Sequence, residues 1–422
     1  MRGLVRMVPR MVSVIEAERL VLAAVGRLPA ERCKIQEAAG RVLRQPVQAD
    51  RDGPPFDRAT LDGIAIRFSE WAAGRREWRV VGVQAAGAEP LPPPPEGACL
   101  EIMTGAPIPA PCDAVLPVEE FTREDERAQA TPGAALTMGA GVHPRGSDFR
   151  AKDELLAAGR RLTGREIAVA ASCGCATLTV TIEPRVAILT TGDELVDVDE
   201  VPKTHQIRRS NDLALRATLA AAGCTKIELN HLPDNPQAIS WNLERLLQQA
   251  DVILVTGGVS KGRFDFLPSA LKDLGVKEHF HGVAQRPGKP MFYGTFERAG
   301  DFLHPEDTRV VAVFALPGNP VSSFACVHRY VLPALDLMRG VASPRLGERA
   351  FLATPVAAHP KLALFVPVTL AVADDGRLIA APRLFNTSGD FASVATTDGF
   401  VEIDAGAGEC AAGAAVPLWR WS

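Results

Sequence analysis

Nowhere does the 422-residue chain hold an unbroken apolar stretch of the roughly 18 residues that a membrane span requires. The opening stretch, MRGLVRMVPRMVSVIEAERL, carries arginines but no sustained apolar core and no cleavage-like segment, so no secretory leader is expected and the cytoplasm is the expected compartment. Basic tracts are missing too. With 46 Lys and Arg against 50 Asp and Glu the net charge is -4, so no global field gathers nucleic acid, and any anion must be held by a local site. The eight histidines lack metal-ligand spacing, and His279 and His281 are expected to be exposed or structural. The eight cysteines are scattered; only Cys173 and Cys175 stand close, and C-x-C without a second pair does not make a zinc site, so free thiols are expected. Neither the lysine-bearing P-loop nor the GxGxxG fingerprint occurs, which disfavours an ordinary NTPase or dehydrogenase. No Ser-His-Asp or Cys-His pairing is legible.

What is present reads as a folded, multi-domain α/β protein. Hydrophobic residues make up 47% and charged residues 23%, and the length suggests about three domains. Helical spacing of Val14, Ala17, Leu20, Val21 and Ala24 opens the fold. After Pro46 the texture changes to Asp, Gly and Pro punctuation and short strands such as WRVVGV, ACLEIM and DAVLPVEEF, with a stiff run Pro92 to Pro95. Residues 13–50 and 143–180 are expected to form a helical linking domain around a β-rich insertion at 51–142. From 181 to 340 buried apolar strands (RVAILTT, DVILVT, VVAVFAL) alternate with helices, which means a parallel-rich sheet covered on both faces. Asn211 and Asn235 are expected N-caps, Asn235 with Pro236 in the first turn. Residues 345–422 show short alternating strands with Gly and Asp turns, expected to close into a small β-barrel.

Ligands of open parallel sheets bind beyond the carboxyl ends of the strands. Three such ends here carry unusual loops: GDEL after RVAILTT, GGVSKGRFD after DVILVT, and LPGNP after VVAVFA. Gly257, Gly258, Ser260 and Gly262 let backbone amides approach an anion closely. Pro317, Gly318 and Asn319 lead into a helix start, which favours phosphate. Glycine-rich loops at neighbouring strand ends point to a phosphate-bearing ligand. Carboxylates stand beside them (Glu194, Asp265, and Asp234 after a short strand) and would repel phosphate unless a divalent ion bridges them, which implies Mg²⁺. Arg286 and Lys289, in a Pro-Gly-Pro frame, are placed as fixed positive charges. Asp193 is expected to serve only the turn.

Taken in order, PPFDRATLDGIAIR (54–67), IMTGAPIP (102–109), DAVLPVEE (113–120), RGSDF (145–149), LTTGDELV (189–196), SNDLAL (210–215), GGVSKGRFD (257–265), RPGKPMFYG (286–294), LPGNPVSS (316–323) and SGDFASVATTDGFVEI (388–403) resemble the molybdopterin molybdenumtransferase family, of the MoeA and gephyrin E-domain type. The resemblance implies a molybdopterin-binding α/β domain, a β-rich insertion domain, a helical linking segment and a C-terminal small β-barrel. It also implies a homodimer with a shared active-site cleft, and a reaction that inserts molybdate into adenylylated molybdopterin with release of AMP. Candidate protein partners are the molybdopterin adenylyltransferase and molybdoenzyme chaperones.

The resemblance further implies site roles for Asp62, Thr104, Asp148, Glu194, Asp265 and Lys289 by their motif positions, with Glu194 and Asp265 at the metal and Ser388 in the cofactor-binding set. The sequence departs from the family pattern at Ala59-Thr60-Leu61, at Ser147 and at Arg286, and no arginine stands in KLALFVPV. A tungstate-inserting paralogue, a non-catalytic molybdopterin-binding scaffold and a molybdopterin adenylyltransferase stay open as alternatives, although the last is a compact single domain with a G-G-T-G-type loop.

Overall fold

The structure, a computed structural model, describes residues 11–257, 266–300, 308–342, 348–383, 387 and 389–421. The chain divides into two compact units: 1–45, 158–163 and 177–422 in one, 46–157 and 164–176 in the other.

In the larger unit a six-stranded sheet is built from β1 (Val186–Thr191), β2 (Ile227–Leu232), β3 (Val252–Thr256), β4 (Lys277–His281), β5 (Phe292–Arg298) and β6 (Arg309–Leu316), in the order β2-β1-β3-β6-β5-β4. Strands β2, β1, β3 and β6 run parallel, as expected. The last two run antiparallel and were not anticipated as strands. KEHFH is an edge strand with little apolar content, and Gly294 interrupts β5, so neither shows the apolar run of a central strand. Every residue of β1 and β3 is buried, and their alternate side chains enter different cores. Val186, Ile188 and Leu254 pack with Leu215 and Leu219 of helix α1 (Asn211–Ala221). Ala187, Leu189, Ile253 and Val255 pack with Ile239, Leu243, Leu246 and Leu247 of α2 (Pro236–Gln249). Each such leucine or isoleucine contributes about 1.5–3 kcal/mol by leaving water, so the two stripes hold a helix on each face.

Asn235 caps α2 through its side-chain oxygen, which accepts from the N–H groups of Gln237 and Ala238. Asn211 does not cap α1. It is the first helical residue, after Ser210, and its side chain turns away to another loop. The stretch read as one helix after LPGN is α3 (Pro320–Cys326), a π turn over Val327–Val331 and α4 (Leu332–Arg339). Pro333 has no N–H to donate and its ring crowds the carbonyl four residues earlier; the widened turn before it absorbs both.

The chain's last region closes into the expected small barrel. β7 (Ala363–Val372) pairs with β8 (Leu378–Pro382) on one side and with Gly399–Ile403 on the other, while Glu348–Leu352 and Ala415–Arg420 complete the ring. Gln285 and Arg286 add a short parallel strand to the start of β7, so the RPGKP loop is docked against the barrel. Arg329 binds this region to the rest: its guanidinium donates to Glu402 at 2.9 Å and to Glu18, in the chain's opening helix Val14–Ala24, at 3.1 Å.

The smaller unit centres on another six-stranded sheet, Ala114–Pro117, Gly63–Ile66, Ala98–Ile102, Glu77–Gln84, Arg127–Ala130 and Phe121–Glu124 in spatial order. The stacked rings of Trp71 and Trp78, 6.2 Å apart, fill its core. Among the described residues no helix is long and apolar enough to cross a membrane.

Candidate active site

Two hollows open at the carboxyl end of the larger unit's parallel strands. The first, about 390 Å³, is lined by Thr190, Thr191 and Glu194 after β1, by Thr256 and Gly257 after β3, by Gly318 and Asn319 after β6, and by Arg209 and Asn211 at the start of α1. The glycine loops converge here. A methyl group on Gly318 would lie 3.8 Å from the Cα of Gly257, and one on Gly257, at φ +96°, would strike the Thr191 carbonyl at 2.6 Å. Gly257 is therefore needed for the close approach of two strand ends. Asn211 Nδ2 donates to the Gly318 carbonyl at 2.7 Å, which ties the helix start to the LPGN loop.

Polar groups in this hollow differ in how they are engaged. Thr256 and Thr190 share a 3.1 Å hydroxyl hydrogen bond. Arg209 is held between Asp197 at 2.7 Å and the fully buried Asp212 at 3.4 Å. Glu194 folds back over Gly192, its carboxylate 2.7 Å from where a Cβ on that glycine would stand, and no cation pairs with it among the described residues. A charge held without a counter-ion beside oxygen donors suits a cation brought by a ligand.

The second hollow, about 660 Å³, lies between the RPGKP loop, the LPGN loop and the barrel. Arg286, Lys289 and Arg383 supply its charge, and Leu364, Phe365, Val366 and Pro367 of β7 an apolar wall; among the described residues no Asp or Glu lines it. The loop is clamped from below. Buried Gln285 accepts from the Tyr330 hydroxyl and donates to the Pro287 carbonyl at 3.1 Å and to Cys326 Sγ at 3.4 Å. Gly288 stands at φ +92°, where a Cβ would fall 2.5 Å from the Gln285 amide and 2.7 Å from Cys326 Sγ. Burial pushes the Cys326 thiol up to about 12, so it remains a neutral packing group and not a nucleophile.

Pro317 faces the second hollow, Gly318 the first, and Asn319 both. Glu194, Gly257, Pro317, Gly318, Asn319, Arg286 and Lys289 are thus gathered around one loop. Asp234 is not. It lines a separate depression with Asp193, whose carboxylate accepts the Asp234 N–H at 3.0 Å. Strand β2 is the sheet's edge, so a residue following it stands one strand further from the LPGN loop than one following β1. Gly258, Ser260, Gly262, Asp265 and Ser388 lie outside the described residues.

In the smaller unit, Asp62 and Thr104 form a clamp: one Asp62 oxygen accepts from the Thr104 hydroxyl at 2.7 Å and from its N–H at 2.6 Å. Those two bonds hold the Asp62 carboxyl below its ordinary 3.8. Asp148 meets His143 Nε2 at 2.9 Å. All eight cysteines are free, as expected. His279 is structural, bonded to the Thr295 hydroxyl at 2.8 Å.

Sequence reasoning missed Arg383 and Arg209. The first follows no loop motif, and only the pairing of β7 with β8 brings it to the hollow; the second was visible as a charge preceding SNDLAL.

Three family descriptions match the chain in succession: the MoeA N-terminal region (domains I and II) over residues 12–174, a probable molybdopterin-binding domain over 187–337, and the MoeA C-terminal region (domain IV) over 349–421. A molybdopterin molybdenumtransferase of Synechocystis sp. is 35% identical over 411 residues, covering 97% of this chain and 100% of that protein. One of Bacillus subtilis is 28% identical, covering 97% and 96%. The crystal structure of a molybdopterin biosynthesis MoeA protein from Pyrococcus horikoshii superposes with a TM-score of 0.79 at 27% identity, covering 98% of this chain and 100% of that one. The order of the three regions, the full-length match and the architecture agree: this chain belongs to the MoeA family.

Proposed function

We propose that this protein inserts molybdate into adenylylated molybdopterin and releases AMP, a cytoplasmic step of molybdenum-cofactor biosynthesis. Family membership carries the coarser part, a transferase of molybdenum-cofactor assembly. One observation supports the finer part: the loop Pro317-Gly318-Asn319 is a common wall of two hollows of different chemistry. One is lined by glycines, Arg208, Arg209 and a Glu194 carboxylate without a cationic partner among the described residues, the other by Arg286, Lys289 and Arg383 with no carboxylate among its described lining residues. A phosphate-bearing pterin in the first and a tetrahedral dianion in the second are neighbours across that wall.

In this reading the backbone at Gly257, Gly258, Ser260, Gly262, Pro317, Gly318 and Asn319, with Ser388, cradles the pterin nucleotide, and Arg286 and Lys289 hold the oxyanion. Asp234 is left out of the chemistry. Magnesium fits the first hollow on donor chemistry, since Glu194 has no cationic partner among the described residues and threonine side chains line the same wall. Mg²⁺ keeps few carboxylates and takes the rest of its oxygens from phosphate and water, so Glu194 and Asp265 would hold it. When bound, it neutralises charge on the phosphate oxygens.

The chain's own part is to hold both anions still and side by side, which lowers the entropic cost of their encounter. In a homodimer with a shared cleft, Asp62, kept ionised by Thr104, and Asp148 belong to the wall contributed by a second copy. The molybdopterin adenylyltransferase is the natural donor of substrate, and a molybdoenzyme chaperone the natural recipient.

AMP release from adenylylated molybdopterin, with and without molybdate, tests the reading. Wild-type release is expected to depend on molybdate. Glu194→Gln is expected to slow it about tenfold or more, through loss of charge at the phosphate end. Wild-type rates in both Glu194→Gln and Lys289→Ala would overturn it.

A further inference from the structure

The second hollow holds one more cation than the reading above employs. Arg383 follows Pro382 at the end of β8, and its backbone N–H donates to the Pro367 carbonyl at 2.8 Å. That bond continues the β7–β8 ladder, in which Val368 faces Pro382, so the position of residue 383 is set by the barrel and not by a free loop. From there it lines the same hollow as Arg286 and Lys289, across from the RPGKP loop. Among the described residues none of the three side chains has a hydrogen-bond or ion-pair partner, and none of the described lining residues is a carboxylate.

Arg286, Lys289 and Arg383 are exposed on two sides of one hollow, and like charges gathered there repel one another until an anion answers them. Both walls are fixed to β7: the RPGKP loop through the pairing of Gln285 and Arg286 with Ala363 and Leu364, and Arg383 through its bond to Pro367. Leu364 to Pro367 supply the apolar side of the same hollow, so an anion seated there gives up part of its contact with water.

We infer that Arg383 is a substrate-binding residue of the oxyanion hollow, which with Arg286 and Lys289 makes the site select a tetrahedral dianion over a monoanion of the same shape. This rests on the oxyanion reading proposed above. A guanidinium presents several donors in a plane and can take two oxygens of one tetrahedral face, which a single ammonium cannot. With three positive charges the site gains about twice as much Coulomb energy from a doubly charged ion as from a singly charged one, and removing one cation erodes that difference.

The test is calorimetric titration of the full chain with molybdate and with perrhenate, a tetrahedral monoanion, for wild type, Arg383→Gln, Arg383→Lys and Lys289→Ala. Arg383→Gln is expected to weaken molybdate about tenfold or more and perrhenate distinctly less, and Arg383→Lys to recover part of the loss. A melting curve matching wild type shows that the glutamine chain is folded; if it is not, the lysine variant carries the comparison, with the same preference for molybdate expected to fall. If wild type binds molybdate and Lys289→Ala loses it while both Arg383 variants bind within about twofold of wild type, the role of Arg383 is overturned and the oxyanion reading stands. If wild type binds neither ion, both fall.

Discussion

Asn211 Nδ2 stands 2.7 Å from the carbonyl of Gly318, joining the first turn of α1 to the loop that separates the two hollows. The bond has little to hold up: a single neutral hydrogen bond contributes about 0.5–1.5 kcal/mol. Its value lies in aim. Asn211→Ala is expected to shift the melting temperature little, while the KM for the pterin nucleotide rises several-fold because the Gly318 backbone is no longer held. Steady-state AMP release with thermal melting separates the two effects. An unchanged KM would show that the loop holds its place alone.

Gly288 admits no side chain. At φ +92° an added methyl group would meet the Gln285 amide and Cys326 Sγ. Gly288→Ala is expected to cost about 1–3 kcal/mol in stability and to displace Lys289, raising the molybdate concentration needed for half-maximal AMP release. Melting and molybdate titration on one preparation report both.

A divalent ion at Glu194 predicts a specific defect. Glu194→Gln removes a charged oxygen ligand and leaves the fold unchanged, so its activity is expected to return in part at high magnesium, with the half-saturating concentration up about tenfold. A loss of activity that no magnesium concentration relieves would place Glu194 elsewhere in the chemistry.

Acid should loosen the smaller unit through Glu70. Burial raises this carboxyl, but the Gly97 N–H at 3.1 Å, Arg67 at 2.7 Å and the Trp78 indole N–H at 3.0 Å outweigh it, and the group sits below its ordinary 4.5. A depressed carboxyl contributes stability in full above its unfolded value and loses it as pH falls through the folded one. Glu70→Gln is therefore expected to be about 2 kcal/mol less stable than wild type at pH 7, with the gap closing below about pH 4.5. Denaturant unfolding from pH 7 to 3, followed by tryptophan fluorescence, measures it; a gap that stayed constant with pH would exclude the carboxylate as its source.

Local chemistry made part of this molecule legible and topology hid the rest. β1 and β3 announced themselves because strands buried on both faces are apolar throughout, and the Asn235-Pro236 start of α2 because capping is a contact between near neighbours. β4 and β5 did not, since an edge strand and a glycine-broken strand carry no such run. The same split runs through the hollows. Glu194, Gly257 and Asn319 follow central strands and converge as the general rule for parallel sheets requires, while Asp234 follows an edge strand and drops out. Arg383 carries no loop motif, and only the pairing of β7 with β8, which sets Pro382 against Val368, brings it to the hollow. Asn211 carried a capping signature, yet its side chain reaches Gly318, a residue no local pattern connects to it.

The Arg329 bridge sets a condition on how this chain could be shortened. Its guanidinium is answered by Glu402 on one side and Glu18 on the other, and lies 4.4 Å from the Trp419 ring centre. Cutting the barrel away would remove Glu402 and Trp419 together and open Arg329 to water, leaving Glu18 as its partner. The harder loss would be the apolar surface around it, where Phe365, Phe400 and Trp419 share one core with Tyr330 and Val331, so a shortened chain would need polar replacements at positions 330 and 331 before any change at Arg329.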